Sequence, residues 1–275
     1  NVIFTAYGND AIGGDDDGVT DGANDGDWAG VVFRDDSDRE ASSIYLNHLQ
    51  QTDISFGGGL DASSDVYAPI HLETARPTIM HNRLTNNADS AISADPNSFE
   101  ESLDRIGPDI HDNFIVNNSI NGVVIRTDAG SGQSGLQSLD VPARFNDLDI
   151  THVIVDNLTI AGTPGGPLDG VARTNGRLQI DPGVVVKLDR SRIEALRGDS
   201  QFIAEGTPER QVILTALSDD RYGAGGSFDT GGDGALSLRD PGDWGGLIFN
   251  ASSSASIDNA YIAHGGGTIP FENGF

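Results

Sequence analysis

The chain has 275 residues, 42 of them Asp or Glu against 16 Lys or Arg, for a formal net charge of −26. That charge repels nucleic acid and anionic membrane surfaces, and no apolar run approaches the roughly 18 residues that spanning a bilayer requires. Cysteine is absent, which excludes disulfides and thiolate metal sites, while 37% hydrophobic residues and 36 glycines describe a turn-rich chain with little apolar material to spare.

In chain order, short β-branched and apolar runs alternate with Gly, Asn, Asp and Pro, the pattern of strands between turns. The first strand is expected over 2–6. Asn1 already sits at its start, so the chain reads as beginning after processing or partway along a larger polypeptide. An acidic, glycine-rich loop follows, then Asp27-Trp28-Ala29-Gly30 leading into a strand at 31–33, then the triplet Gly57-Gly58-Gly59. Further strands are expected at 78–80, 122–125, 152–155, 158–160, 177–180, 184–188, 201–204 and 212–216. Residues 100–105 could make one helical turn and read instead as a loop excursion, and 130–138 read as a Gly/Ser corner loop.

Two repeats lie over this pattern. The end of the chain repeats its beginning: Asn1-Val2-Ile3-Phe4-Thr5-Ala6 returns as Gln211-Val212-Ile213-Leu214-Thr215-Ala216, and Asp27-Trp28-Ala29-Gly30 returns as Asp243-Trp244-Gly245-Gly246. Gly57-Gly58-Gly59 returns as Gly265-Gly266-Gly267, so 211–275 read as equivalent to about 1–65 within one continuous domain over 1–275. A shorter repeat of 31 residues aligns Pro77 with Pro108, Asn82 with Asn113, Leu84 with Ile115, and Asn86-Asn87 with Asn117-Asn118. Periods of this kind belong to stacked, quasi-one-dimensional architectures, and Asn recurring at a bend suits a ladder that bonds backbone groups.

The strings Asp181-Pro182-Gly183-Val184-Val185-Val186-Lys187, Pro241-Gly242-Asp243-Trp244-Gly245-Gly246 and Ser256-Ile257-Asp258-Asn259-Ala260-Tyr261-Ile262-Ala263-His264-Gly265 resemble right-handed parallel β-helix repeat regions of very large bacterial surface or secreted proteins. Such regions, common in cyanobacteria and planctomycetes, belong to the wider pectin-lyase-like superfamily. The resemblance covers 176–268 most strongly, and 1–124 through the repeats. It implies an all-β fold, a right-handed parallel β-helix with projecting corner loops, and an extracellular or cell-surface location. It does not dictate chemistry.

The acidic loops carry the main chemical expectation. Asp229-Thr230-Gly231-Gly232-Asp233-Gly234 spaces carboxylates four apart and follows them with Gly. Asp17 to Asp21 and Asp21 to Asp25 repeat that spacing, each again followed by Gly, with Asp15 nearby. Calcium requires six to eight oxygens, and glycine lets the backbone curl so that they converge. The strings resemble Asp-rich calcium loops, although the bidentate Glu of a complete EF-hand loop is missing. Calcium is therefore expected in at least one of these loops, with Asp15, Asp17, Asp21 and Asp25 as candidate ligands in the first and Asp229 and Asp233 in the second; the competing reading is a set of solvated turns. Trp28 and Trp244 read as packing at a hydrophobic corner, or else as a platform for a sugar.

Catalytic signatures are sparse. Asp35-Asp36, Asp219-Asp220 and His264-Gly265 are present, but the Asn-Thr-Asp, Gly-His-Gly and Arg-Ile-Lys strings of β-helix hydrolases are not, and the six histidines are scattered. No catalytic residue is assigned. The combined reading is a non-enzymatic structural or adhesive segment of an extracellular bacterial filament, sheath or surface protein. It joins copies of itself, or further repeats of the same polypeptide, end to end, because open strand edges template the next pass. The alternative is a polysaccharide lyase, glycoside hydrolase or glycan-binding adhesin on the same scaffold.

Overall fold

Runs of three to six residues rich in Val, Ile and Leu are too short to bury a face alone, so they pair with equivalent runs from the next pass of the chain. The computed structural model describes residues 2–14, 22–34, 40–41, 44–45, 47–60, 68–101, 106–127, 137–163, 174–196, 198–234 and 239–268. Within them the protein is all-β with parallel main sheets, beside two short antiparallel pairs, Glu40–Ala41 with Ile44–Tyr45 and Gly162–Thr163 with Thr174–Asn175. Its one helical element is a 3-10 turn, Pro96–Phe99, just ahead of the turn considered from sequence at 100–105. Residues 102–105, and most of the loop expected at 130–138, lie outside the described residues.

One sheet runs through the molecule. Its eight strands are Val31–Arg34, Ile70–Glu73, Ser90–Ala94, Ile120–Ile125, His152–Ile154, Val185–Leu188, Val212–Ala216 and Ala260–Ile262, all parallel. Before Ile125 the chain alternates between this sheet and two others. One has four strands (Val2–Phe4, Thr52–Ser55, Arg83–Thr85, Phe114–Val116) and one has three (His48–Gln50, Thr78–Met80, Asp109–His111). Later passes use a different pair of sheets: Pro142–Phe145, Arg177–Ile180, Gln201–Glu205 and Ser254–Asp258 in one, and Leu158–Ile160, Arg192–Ala195 and Gly246–Phe249 in the other. In both halves the chain visits its three sheets in a fixed cyclic order.

Register aligns like with like. Phe33, Leu72, Ala94, Ile125, Ile154, Leu188 and Ala216 are direct neighbours along the eight-stranded sheet and form one apolar row, with Phe33 partly buried at its start. The opposite face is also covered. His71, Ser93, Val124, Val153, Lys187 and Thr215 make the next row and are buried too. A parallel sheet buried on both faces explains why these strands read as continuous apolar runs, not as alternations.

The bends use asparagine as the repeat suggests. Gln51, His81 and Asp112 sit in the left-handed region (φ 53°, 56° and 54°), and each precedes a buried polar residue, Thr52, Asn82 or Asn113. The next bend repeats the device at Phe56, Asn86 and Asn117 (φ 62°, 56° and 57°). Non-glycine residues are disfavoured there. Buried asparagines follow four of them (His81, Asn86, Asp112 and Asn117), and their hydrogen bonds offset that cost. Asn82 Nδ2 donates to Asn113 Oδ1 (3.0 Å), Asn87 Nδ2 to Asn118 Oδ1 (2.7 Å), and Asn118 Nδ2 to Asn121 Oδ1 (3.1 Å). The lower ends accept backbone donors: Thr52 N–H meets Asn82 Oδ1 at 3.0 Å and Gly57 N–H meets Asn87 Oδ1 at 2.9 Å.

The two Asp-Trp corners make the same contacts. Asp27 accepts the Asn24 N–H (2.8 Å) and Asp243 the Asp240 N–H (3.0 Å). The Trp28 indole donates to Ser55 O (2.8 Å) and the Trp244 indole to Ala263 O (2.7 Å). A Cβ on Gly57 or Gly265 would stand 3.1 Å from the indole beneath it, and one on Gly57 also 2.9 Å from Pro69 Cβ, so glycine lets each indole lie close against the backbone. Packing is thus the role of both tryptophans. The strands flanking the corners nevertheless differ in sheet. Val2–Phe4 pairs with Thr52–Ser55 in a four-stranded sheet, whereas Val212–Ala216 pairs with Ala260–Ile262 in the eight-stranded one.

The ladders give a direct test. Asn118→Ala removes donors to Leu84 O and Asn121 and strands the Asn87 amide. It is expected to lower unfolding free energy in urea by about 1–3 kcal/mol with an unchanged m value.

Candidate metal centre

The acidic loop is held in place by the bend below it. After the strand Val212–Ala216 the chain turns, with the Asp219 N–H donating to Ala216 O (3.0 Å), and runs back over an earlier pass. Asn121 N–H donates to Thr230 O (2.7 Å) and Asn121 Nδ2 to Asp229 O (3.0 Å), so the asparagine ladder ends on the loop backbone. Asp229 then closes the loop by accepting the N–H groups of Asp233 (3.1 Å) and Gly234 (2.9 Å).

This geometry gathers three carboxylates. One oxygen from each of Asp220, Asp229 and Asp233 lies within 4.8 Å of the others. Asp229 and Asp233 are the pair expected from sequence; Asp220 is added by the fold. Its Oδ1 is buried without a hydrogen-bond partner. Burial, then the neighbouring Asp233, Asp229 and Asp219, push the Asp220 carboxyl up, against the pull of Lys187. Lys187, buried on the strand Val185–Leu188, donates to Phe228 O at 3.0 Å. Burial lowers its amine to about 8, although four aspartates (219, 220, 229 and 233) oppose the shift. Three carboxylates above one ammonium leave two negative charges when all are ionised.

Asp25 lies elsewhere. It is exposed and lines a polar cleft with Asn87, Asn118 and Gly232, beside the same asparagine bend but outside the group of three. Asp15, Asp17 and Asp21 lie outside the described residues, as do Asp35 and Asp36.

The neighbouring Asp219 has a different role. Its side chain is fully buried, and it accepts from Thr215 Oγ1 (2.7 Å), Arg221 Nε (2.8 Å) and Arg221 Nη2 (2.9 Å). Arg239 Nη1 is 3.4 Å away and His264 Nε2 3.7 Å. Burial raises its carboxyl, but the bonds from Arg221 and Thr215 outweigh this and hold it well below the usual range. Asp219 and His264 do converge, but on a saturated ion-pair network that ties this loop to Tyr261 of the last strand. A second buried string, Ser93 Oγ to His71 Nδ1 (2.8 Å) with His71 Nε2 3.8 Å from Asp95, is enclosed beneath the surface and out of reach of a substrate.

The outer bend of the early passes forms a different kind of surface. Gln51, Asp53, His81, Arg83, Asp112 and Phe114 line one open groove, with the Arg83 guanidinium 5.7 Å from the Phe114 ring centre. His111 pairs with Met80 in register, yet its ring meets His81 edge-on at 6.0 Å because His81 lies at the bend.

No protein-family model, no curated protein and no solved structure matches this chain.

The buried titratable groups set a pH dependence. His152 points into the core between Phe145 (4.5 Å) and Phe99 (5.7 Å), with both ring nitrogens unpaired, and burial lowers its pKa to about 3. The unfolded chain takes up that proton near the ordinary value of 6.5, so stability is full above it and falls as pH drops toward about 3. His71, lowered to about 4 by burial and then by Arg126 and Arg34, acts in the same direction. Asp147, raised to about 7 by burial, acts oppositely as pH rises from 3.8. His152→Leu is expected to flatten the loss of stability between neutral and mildly acidic pH in urea titrations. An unchanged slope would mean that His152 is not protonated on unfolding.

Proposed function

We propose that this chain is a structural segment of an extracellular bacterial filament, sheath or surface protein, wound as a continuous right-handed parallel β-helix that joins further passes end to end. The long-period repeat, cyclic strand order and in-register core rows support the winding. The observation that carries the joining is that inward rows continue into strands at the ends of the sheets, where their last members are uncovered. Phe4 stacks over Ile54 and Leu84 yet is 39% exposed. At the other extreme Phe249, Ile257 and Ile262 continue the rows of Ala195, Ala204 and Leu214 and are 41%, 41% and 44% exposed. A further pass laid on either edge would bury them, and a copy of the chain supplies strands of the right kind. Interfaces of this head-to-tail type propagate.

Calcium completes the reading. The group Asp220, Asp229 and Asp233 offers hard oxygen ligands, an orphaned Asp220 Oδ1 and two uncompensated negative charges, which together suit a divalent cation. Bound there, the ion relieves repulsion between loop carboxylates and fixes the loop on the bend. No step of chemistry is required of it, and the role proposed is non-catalytic.

The groove at Gln51, Asp53, His81, Arg83, Asp112 and Phe114 favours a second reading, glycan recognition, because it presents charged, amide and aromatic groups on successive passes. Its discriminator is binding of soluble glycans that is lost in Arg83→Ala and Phe114→Ala.

Two measurements test the main proposal. Sedimentation velocity should show concentration-dependent self-association that Ile257→Lys and Ile262→Lys abolish without lowering the melting temperature; a monomer at every concentration would refute the joining. Calcium at about 100 times its Kd should stabilise the fold by about 2.7 kcal/mol. EDTA should reverse that gain, and Asp229→Asn with Asp233→Asn should eliminate it.

A further inference from the structure

The four-stranded sheet that starts at Val2–Phe4 stops at Phe114–Val116. In this last strand the Phe114 N–H donates to Asn82 O (2.8 Å), and Phe114, Ile115 and Val116 lie in register with Arg83, Leu84 and Thr85. Backbone groups of a strand alternate in direction, so Ile115 turns its N–H and C=O to the opposite edge. Among the described residues no strand pairs with that edge. The next pass leaves it open: Pro142–Phe145 pairs with Arg177–Ile180, and Ala143 bridges to Glu100 instead.

The open edge faces a cleft of about 730 Å³, with 114–117 on one wall and 225–229 on the other. Two phenyl rings stand in it, Phe114 at 57% exposure and Phe228 at 53%. Asp229, the member of the three-carboxylate group that lines this cleft, brings negative charge to it. We propose that the cleft binds an extended, basic polypeptide segment, added as a fifth strand to the edge of Phe114–Val116. Ile115 supplies the backbone donor and acceptor, the two rings take an apolar side chain of the segment, and Asp229 with its neighbours takes a Lys or Arg. Strand addition divides affinity and selectivity in this way: main-chain bonds hold the segment, and alternate side chains choose it. The edge is only three residues long and walled by a loop, which limits indiscriminate pairing. This inference is independent of the end-to-end joining; it draws on Asp229, for which a cation would compete.

The test is fluorescence anisotropy with a labelled Lys-Val-Lys-Val-Lys-Val peptide, in EDTA so that no cation competes for the carboxylates. Saturable binding is expected, together with slower exchange of the Ile115 amide. N-methylation of the peptide on alternate amides should weaken binding by about tenfold or more, as should replacing its lysines by glutamates. Phe228→Ala should weaken it similarly while leaving the melting temperature unchanged, and Ile257→Lys should leave it intact. No binding overturns the proposal. So does equal binding of the N-methylated peptide, which would reveal charge attraction alone, or a cleft that prefers an oligosaccharide to the peptide.

Discussion

The structure depends on register. Parallel strands in adjacent passes bond through their backbones, and a slip of one residue would turn every inward side chain outward. Phe33, Leu72, Ala94, Ile125, Ile154, Leu188 and Ala216 can form one row only because seven passes hold the same phase. The asparagine bends enforce that phase. Each buried amide reaches its counterpart one pass away, and Asn118 also ties to Asn121, which fastens the acidic loop. Positioning of the carboxylates therefore draws on the bend beneath the loop as well as on the loop's own closure by Asp229.

Much of this was legible in the sequence because the repeats write it twice. Pro77 to Asn87 and Pro108 to Asn118 align residue by residue, and the pairs Ile79–Ile110 and Leu84–Ile115 meet in register in space. The strands at 177–180, 201–204 and 212–216 were readable from β-branched runs between tight turns, and the two Asp-Trp corners from their shared strings. Each of these signals is local, or repeats at a fixed interval.

Features built from unlike stretches were not legible. Asp220 joins Asp229 and Asp233 only because the loop folds back on itself, and Lys187 lies beneath them from an earlier pass. Asp25 follows a spacing like that of Asp229 and Asp233 but lines a different cleft beside the same bend, since spacing alone does not say where a carboxylate points. His152 could not be placed inward from sequence, because the run His152-Val153-Ile154-Val155 is apolar on both faces of a sheet that is buried on both. The change of partner sheets between Ile125 and Pro142 has no local signature either, and among the described residues it leaves the edge at Phe114–Val116 without a partner strand.

The sheet assignment of the two Asp-Trp corners has a geometric consequence. Strands that match across the long interval move on by one sheet: the first pair lies in a flanking sheet, its counterpart in the central one. A feature carried by both copies therefore presents itself on two different faces of the molecule: Trp28 leads into the eight-stranded sheet and Trp244 into the three-stranded one, so the two corners do not stack on each other.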